Sequence, residues 1–211
     1  MKEVIEKMEF EISERLLNLN EIKLNETVII VVDLINGFVS RGPFASDRVK
    51  TIIPNVKFLL EKTKECQKVF FRDIHTADSR ELSIYPVHCV GGTGEENIVD
   101  ELIPYAEKDN SNVIDKNSTN GFLTKEFQKW LNNNLQITNF IVIGCAADIC
   151  VSDFAKTLQC YFCQNNAEKK IFIPKDCVET YDYGAHDGDI MKTFSLYSMH
   201  LAGIKIVDTI I

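Results

Sequence analysis

Cys150 is the residue with the clearest potential for covalent chemistry in this chain. It follows the apolar run 140–143, which is typical of a buried parallel strand, and Gly144 ends that run. Because 149–158 has the character of a helix, the thiol lies where a strand passes into a helix, at the carboxyl edge of a sheet. A helix N-terminus favours a thiolate over a thiol. Cys150 is therefore a candidate nucleophile, and a buried core cysteine is the alternative interpretation.

Two charged residues follow two other predicted strands. Asp33 comes directly after the apolar run 28–32, and Lys116 ends the run 112–116. Both therefore belong to the carboxyl edge of the same predicted sheet, where open α/β folds bind their ligands. A carboxylate at this edge could act as a general base. The alternatives are a turn-capping role for Asp33 and a surface position for Lys116.

A group of possible metal ligands lies in 73–88, a segment with neither helical nor strand periodicity. Its members are Asp73, His75, Glu81 and His88, in a chain that has four histidines in total. In an extended segment, Asp73 and His75 project to the same side. Imidazole combined with carboxylate suits Zn, Fe or Mn rather than Ca or Mg. The pattern predicts a transition-metal site, and a solvated polar loop is the alternative that spacing alone leaves open.

Six short apolar runs alternate with segments of helical periodicity along the chain. The runs predicted as strands are 28–32, 69–71, 112–116, 140–143, 170–173 and 204–207. The segments predicted as helices are 46–64, 97–103, a stretch around Trp130, 149–158 and 184–201. Such alternation predicts a single α/β domain whose central sheet is mostly parallel and has about six strands.

The first 26 residues differ from the rest in being dense in Glu and Lys. Apolar residues recur there near helical spacing, at positions such as Val4, Ile5, Met8 and Ile12. We predict that 1–26 is an N-terminal helical extension packed on the edge of a main domain that covers 27–211. It is either an accessory helix or a dimer contact.

Composition limits the partners and the compartment. The chain has 211 residues, of which 45% are hydrophobic, and a formal net charge of −8. This charge argues against nucleic acid and anionic membranes as partners, because both need basic patches. Seven cysteines without a secretory leader or disulfide-type spacing favour free thiols in a reducing cytoplasm. The expected partner is a small-molecule substrate, and the expected assembly is a homo-oligomer.

Three sequence blocks resemble the nicotinamidase/pyrazinamidase members of the isochorismatase-like cysteine hydrolases. Residues 31–38 resemble the family's strand-Asp-x-x-x-x-Phe motif, and 144–151 resemble its Gly-x-Ala-Thr-Asp-x-Cys-Val motif. Residues 85–95 resemble the Trp-Pro-x-His-Cys-x-x-Gly-Thr-x-Gly block of the metal-containing nicotinamidases. The resemblance runs from about residue 27 to the C-terminus. It implies a three-layer α/β/α arrangement, the isochorismatase-like hydrolase fold.

The same resemblance implies a role for each candidate residue. The catalytic triad would be Asp33, Lys116 and Cys150, and the backbone N–H groups of Ala146 and Cys150 would form the oxyanion hole. Phe38 and Tyr85 would stack on the substrate ring. The implied metal ligands are Asp73, His75, Glu81 and His88. They would hold one divalent transition metal, Zn first with Fe or Mn as alternatives, which would orient the pyridine nitrogen.

The implied activity is hydrolysis of nicotinamide to nicotinate and ammonia through a cysteine thioester, as in NAD salvage. Two positions depart from the family pattern: Ala147 replaces a Thr, and Tyr85 replaces a Trp. These changes leave open a related cysteine amidohydrolase acting on another small amide or carbamoyl substrate, and a non-catalytic binding protein. An isochorismatase activity agrees least with the sequence, because that reaction has no use for His75 and His88.

Overall fold

The computed structural model describes residues 2–13 and 15–211, and a six-stranded parallel sheet forms its centre. The strands in chain order are β1 (Leu16–Leu17), β2 (Thr27–Val32), β3 (Gln67–Asp73), β4 (Ser111–Lys116), β5 (Asn139–Gly144), β6 (Lys170–Pro174), β7 (Lys205–Val207) and β8 (Thr209–Ile210). The α-helices are α1 (Lys2–Glu11), α2 (Asn36–Val39), α3 (Asp47–Thr51), α4 (Ile53–Lys62), α5 (Ile103–Ala106), α6 (Lys125–Asn133), α7 (Cys150–Gln164) and α8 (Gly188–Leu201). The order across the central sheet is β4-β3-β2-β5-β6-β7.

The two central strands, β2 and β5, are buried along their whole length. Alternate residues of β2 face opposite layers, as the pleat requires. Ile29 and Val31 belong to a core shared with α3 and α4, whereas Val28 and Ile30 belong to a core shared with α6, α7 and α8. Helices therefore cover both faces, which explains the uninterrupted apolar runs. The predicted three-layer α/β/α fold with about six strands is confirmed.

Two predicted helices differ in the structure. The segment 46–64 forms two helices, because Pro54 lacks a backbone N–H and starts a new helix rather than continuing the first. The segment 97–103 is not helical before Ile103, where α5 begins. Its backbone pairs instead with the chain leaving β2: Ile98 forms an antiparallel bridge with Ile35, and the Val99 N–H donates to the Leu34 carbonyl. A tertiary contact thus replaced a local helix.

The N-terminal region is helical only over α1. The chain then forms β1, which pairs in parallel with β8, followed by two 3₁₀ turns before β2. Leu17 is buried in the core below α4, so its burial and the β1–β8 ladder outweigh the helical periodicity. None of the helices in the described ranges has the length and apolar character that a membrane crossing requires.

Strand order decides where the functional side chains meet. Strands β4, β3, β2 and β5 are consecutive neighbours, and all of them run in the same direction. Their carboxyl ends therefore lie side by side, and they carry Lys116, Asp73, Asp33 and Gly144 in that order. Asp73 and Lys116 are direct register partners.

Candidate active site

Lys116 lies at the centre of the group of reactive side chains. Its Nζ is 2.8 Å from Asp33 Oδ2 and 3.8 Å from Cys150 Sγ. On its other side, Nζ donates a 2.9 Å hydrogen bond to Asp73 Oδ1. All four side chains are buried. The structure therefore brings together the three predicted triad residues, and Lys116 also joins them to one of the predicted metal ligands.

The Asp33 carboxylate is placed to exchange a proton. Its backbone adopts a φ of 51°, an uncommon value for a residue other than glycine that is found at functional sites. Lys116 approaches as an ion pair but outside hydrogen-bond geometry, so both oxygens of Asp33 lack a hydrogen-bond donor among the described residues. Burial raises the pKa of this carboxyl to about 7, against the opposing charge of Lys116. A pKa close to neutral suits a general base.

A helix N-terminus was expected to lower the pKa of the Cys150 thiol, but burial has the opposite effect. It raises the pKa of the Cys150 thiol well above its ordinary value, although the charge of Lys116 works in the other direction. Burial also disfavours the Lys116 cation, but the charges of Asp33, Cys150 and Asp73 outweigh it and hold the pKa of Lys116 well above its usual range. The thiol must therefore lose its proton during the reaction, and Asp33 is the adjacent acceptor.

The segment between β5 and α7 presents two backbone N–H groups beside the thiol. The Cys145–Ala146 peptide bond is cis. Within the described ranges, neither the Ala146 N–H nor the Cys150 N–H donates a hydrogen bond to a protein acceptor. Gly144 makes this turn possible, since it has a φ of 118° and a Cβ there would lie 2.0 Å from the Val32 carbonyl oxygen. Two free donors next to a nucleophile are the parts of an oxyanion hole.

The four predicted metal ligands come together beside the triad. One ligand atom from each of Asp73, His75, Glu81 and His88 lies within 4.8 Å of the others. The Nε2 atoms of His75 and His88 lie 3.1 Å and 3.2 Å from Asp73 Oδ2. His75 Nε2 is 3.9 Å from Glu81 Oε1. This mixed nitrogen and oxygen set is compact enough to hold one transition-metal ion.

Outer contacts orient these ligands. His88 Nδ1 donates to the Pro86 carbonyl at 2.7 Å, and His75 Nδ1 lies 2.9 Å from Asn117 Oδ1. Both rings therefore present Nε2 toward the cluster, the arrangement found in metal-binding histidines. The Thr119 N–H donates to Glu81 Oε2 at 3.1 Å. Sequence analysis missed Asn117 and Thr119, although their position directly after Lys116 at the carboxyl edge was an available signal.

An apolar pocket opens above the thiol. Its lining residues are Phe38, Phe44, Asp73, Tyr85, His88, Thr119, Ala146, Ile149, Cys150 and Tyr181. The list contains both predicted ring-stacking residues, Phe38 and Tyr85. Phe44 and Tyr181 were missed; the Phe44 ring lies 5.0 Å from His88 and 5.2 Å from Tyr181. No Lys or Arg side chain is part of this lining among the described residues, so the pocket suits a neutral, flat group.

Comparison with known families identifies the scaffold. The isochorismatase domain family matches residues 27–205. The chain belongs to the isochorismatase family. This membership places it among the isochorismatase-like cysteine hydrolases, in agreement with the predicted fold and the resemblance of the sequence blocks. Nicotinamidase 1 of Arabidopsis thaliana is 29% identical over 144 residues, which cover 61% of this chain and 58% of that protein. The aligned part thus spans less than two thirds of this relative.

Solved structures of the isochorismatase type share the fold. Pyrazinamidase/nicotinamidase from Streptococcus mutans superimposes with a TM-score of 0.72 at 16% identity, covering 86% of this chain and 99% of the other. N-carbamoylsarcosine amidase from Thermoplasma acidophilum superimposes with a TM-score of 0.70 at 21% identity, covering 86% and 95%. At such identities the likeness establishes the architecture, and the substrate must be argued from the site.

Proposed function

We propose that this protein hydrolyses nicotinamide to nicotinate and ammonia through a thioester on Cys150, an activity that returns nicotinamide to NAD synthesis. One observation carries the proposal: Cys150 and the ligand residues Asp73 and His88 line the same aromatic pocket. A single bound molecule could therefore place an amide carbonyl at the thiol and a ring nitrogen at the ligand cluster. The relation to Nicotinamidase 1 supports the same substrate.

In the first half of the reaction, Asp33 takes the thiol proton of Cys150, and the sulfur attacks the amide carbonyl carbon. The resulting oxyanion lies at the N–H groups of Ala146 and Cys150. One oxyanion-hole donor contributes about 3 kcal/mol to lowering the barrier. The proton on Asp33 then passes to the amide nitrogen, the C–N bond breaks, and ammonia leaves the thioester.

In the second half, Asp33 is again a carboxylate and accepts a proton from water. The hydroxide attacks the thioester carbonyl, the C–S bond breaks, and the product leaves as a carboxylic acid that loses its proton to solvent. Asp33 returns its proton to the Cys150 sulfur. Lys116 stays charged throughout and stabilises the anions on both sides of it, since its Nζ lies near Asp33 and Cys150 at once.

We further propose that Asp73, His75, Glu81 and His88 hold one divalent transition metal, with Zn the first choice and Fe or Mn as alternatives. Their donor types and inward-facing Nε2 atoms agree with such an ion. When bound, the ion would supply a Lewis-acid site for the pyridine nitrogen. Phe38 and Tyr85 would stack on the ring and hold it in the plane that this alignment needs.

The charge of the pocket separates nicotinamide from the main alternatives. Isochorismate and N-carbamoyl amino acids carry carboxylates, and the described lining has no Lys or Arg side chain to pair with one. The departure at Ala147 does not affect the pocket, because this residue is fully buried in the core beneath α7 and α8. Tyr85 in place of Trp keeps an aromatic wall. A small neutral amide other than nicotinamide remains the second candidate.

The deciding experiment measures ammonia release by the purified protein from a panel of nicotinamide, benzamide and N-carbamoylsarcosine, with metal content determined on the same sample. We expect turnover of nicotinamide well above that of the other two compounds, and about one Zn, Fe or Mn per chain. Benzamide has the same shape without the ring nitrogen, so it isolates the contribution of the metal.

Cys150→Ala should abolish turnover without changing the circular dichroism spectrum, whereas Cys163→Ala, at an exposed cysteine of the same helix, should retain full activity. Equal turnover of nicotinamide and benzamide by a metal-free protein would replace nicotinamidase by a broader amidase. Activity retained in Cys150→Ala would remove the thioester mechanism.

A further inference from the structure

His186 lies behind one wall of the pocket and outside all three sequence blocks that matched known motifs. It comes two residues before α8, and its ring is stacked on Tyr181 with centroids 4.4 Å apart and planes 6° from parallel. Tyr181 lines the pocket, and His186 is not part of the lining. The histidine therefore supports a pocket wall without touching a bound molecule.

Both ring nitrogens of His186 face acceptors. Nδ1 lies 2.9 Å from the Tyr181 carbonyl oxygen, and Nε2 lies 2.8 Å from Asp148 Oδ2. A carbonyl oxygen has no proton to donate, so Nδ1 must carry one. Nε2 lies within hydrogen-bond distance of the Asp148 carboxyl, so contacts on both sides fix the orientation of the ring.

Asp148 connects the His186 ring to the segment that leads into Cys150. It lies two residues before Cys150, yet it does not cap α7, whose N-cap position is Ile149. Its side chain is 5% exposed, and its Oδ1 accepts a 2.6 Å hydrogen bond from Thr180 Oγ1. The carboxylate thus ties the segment that carries the two free N–H groups to the chain that carries Tyr181.

The segment before Asp148 and the segment before Tyr181 are also joined by backbone hydrogen bonds. The Glu179 N–H donates to the Gly144 carbonyl at 3.1 Å, and the Ala147 N–H donates to the Glu179 carbonyl at 3.0 Å. These bonds align the backbones, and the Thr180 hydroxyl adds a side-chain contact to Asp148. The His186 ring adds a further link, because it bonds to Asp148 and also stacks on Tyr181.

We propose that His186 is a positioning residue of this active site, whose hydrogen bonds and ring stacking fix Tyr181 as a pocket wall and Asp148 with the oxyanion segment 145–150. The kinetic consequences of this role rest on the proposed hydrolase function. It does not depend on nicotinamide being the substrate, since the wall and the segment serve any amide that binds above Cys150.

The kinetic test compares His186→Ala and Asp148→Asn with His200→Ala, a histidine at the far end of α8. Displacing the oxyanion segment should lower kcat, and loosening the Tyr181 wall should raise KM, so we expect kcat/KM to fall at least about tenfold in both site variants. His200→Ala should match the wild type. The double variant should lose no more than the worse single variant, because both changes break the same contact.

A purely structural role would lower the melting temperature while leaving kcat and KM of the folded protein unchanged, and that result would overturn the proposal. If His186→Ala does not fold, Asp148→Asn decides, because it keeps the shape of the side chain and replaces one of its two acceptor oxygens with an amide NH2.

Two measurements are independent of the substrate. ¹⁵N NMR of the histidine rings should show a proton on Nδ1 of His186 in the wild type, with the signal assigned by its absence in His186→Ala. A ring without a proton on Nδ1 would overturn the contact with the Tyr181 carbonyl. The rate of Cys150 alkylation by iodoacetamide should change in His186→Ala and stay constant in His200→Ala; equal rates in all three proteins would contradict the positioning role. A wild type inactive on nicotinamide would refute the proposed function and leave these two results standing.

Discussion

At the residue scale, Lys116 is the cation that balances the negative charges of the site. It contacts Asp33, Cys150 and Asp73 from a buried position, so one cation balances the proposed base, the proposed nucleophile and one proposed metal ligand. Buried charges are tolerated only in such networks, because each unpaired member would carry a desolvation penalty of several kcal/mol. Burial raises the pKa of both the Asp33 carboxyl and the Cys150 thiol, and the charge of Lys116 opposes both shifts.

Asp33 should set the pH dependence of the reaction. Because burial raises its pKa to about 7, the base form increases as the pH rises through that value, and kcat/KM should rise with it and then level off. Asp33→Asn should lose about 10²–10⁴-fold in activity, since an amide cannot accept the thiol proton. A pH–rate profile from pH 5 to 8 checks both expectations. A profile that is flat over this range in the wild type would take the base role away from Asp33.

At the element scale, the short loops after the strands do more of the positioning than the strands themselves. The loop after β4 supplies Asn117 to His75 and the Thr119 N–H to Glu81, directly after Lys116 has bound Asp73. Three of the four proposed metal ligands are therefore oriented by 116–119. The fourth, His88, is oriented by the carbonyl of Pro86 within its own loop.

Asn117→Ala should weaken metal binding by about 10-fold, because the His75 ring loses the shorter of its two Nδ1 contacts and keeps the one to the Ser79 hydroxyl. Equilibration with chelators of graded strength, followed by metal analysis, measures this loss without an activity assay. Asn112→Ala is the matched control, since Asn112 is an exposed residue of β4. Equal retention of metal by the two variants would show that Asn117 does not orient His75.

The end of β5 should tolerate no side chain at Gly144. A Cβ there would lie 2.0 Å from the Val32 carbonyl oxygen, and the φ of 118° strains any other residue. Gly144→Ala should therefore destabilise the protein by about 3 kcal/mol or more, as overpacking and backbone strain add. Gly184→Ala, where φ is 58° and no atom lies within 4 Å, should cost about 1 kcal/mol. Urea unfolding of both variants provides the comparison, and equal losses would show that β2 and β5 can separate at this point.

At the scale of the whole molecule, the N-terminal region is tied to the opposite end of the chain. The β1–β8 ladder joins Leu16–Leu17 to Thr209–Ile210, and α1 packs against α8. The first and last segments thus contribute to both cores, because Leu17 and Ile210 belong to the core with α3 and α4, whereas Ile12 belongs to the core with α8. The boundary predicted at residue 26 and the predicted homo-oligomer remain predictions, and sedimentation analysis of the purified protein will decide the second.

Adjacent leucines of β1 test whether this region belongs to the folding unit. Leu17 is 5% exposed and contacts the core, whereas Leu16 is 59% exposed. Leu17→Ala should lower the free energy of unfolding by about 2–5 kcal/mol, the usual range for a buried leucine. Leu16→Ala should change it by only about 0.5 kcal/mol. If the two variants unfold at the same denaturant concentration, β1 contributes nothing to the stability of the domain.

The sequence by itself determined the architecture and the residues at the carboxyl edge. Continuous β-branched runs such as 28–32 and 140–143 can be satisfied only by strands covered on both faces, which requires layers of helices. Parallel strands then bring whatever follows them to one edge, so Asp33, Lys116 and Cys150 were expected at the same edge, and the strand order placed them next to one another. These inferences depend on local apolar periodicity and on chain direction, both of which are written directly in the sequence.

Tertiary structure alone decided the walls of the pocket and the supports behind the site. Phe44, Tyr181 and His186 come from loops without periodicity, and each acquires its role from residues far away in the chain. The same holds for 97–103, where pairing with the exit of β2 replaced a helix, and for Cys150, whose pKa is governed by burial rather than by its place at a helix N-terminus. The physical reason is common to all of them. Solvation and loop contacts depend on the completed fold, so they cannot be predicted from the local spacing of residues.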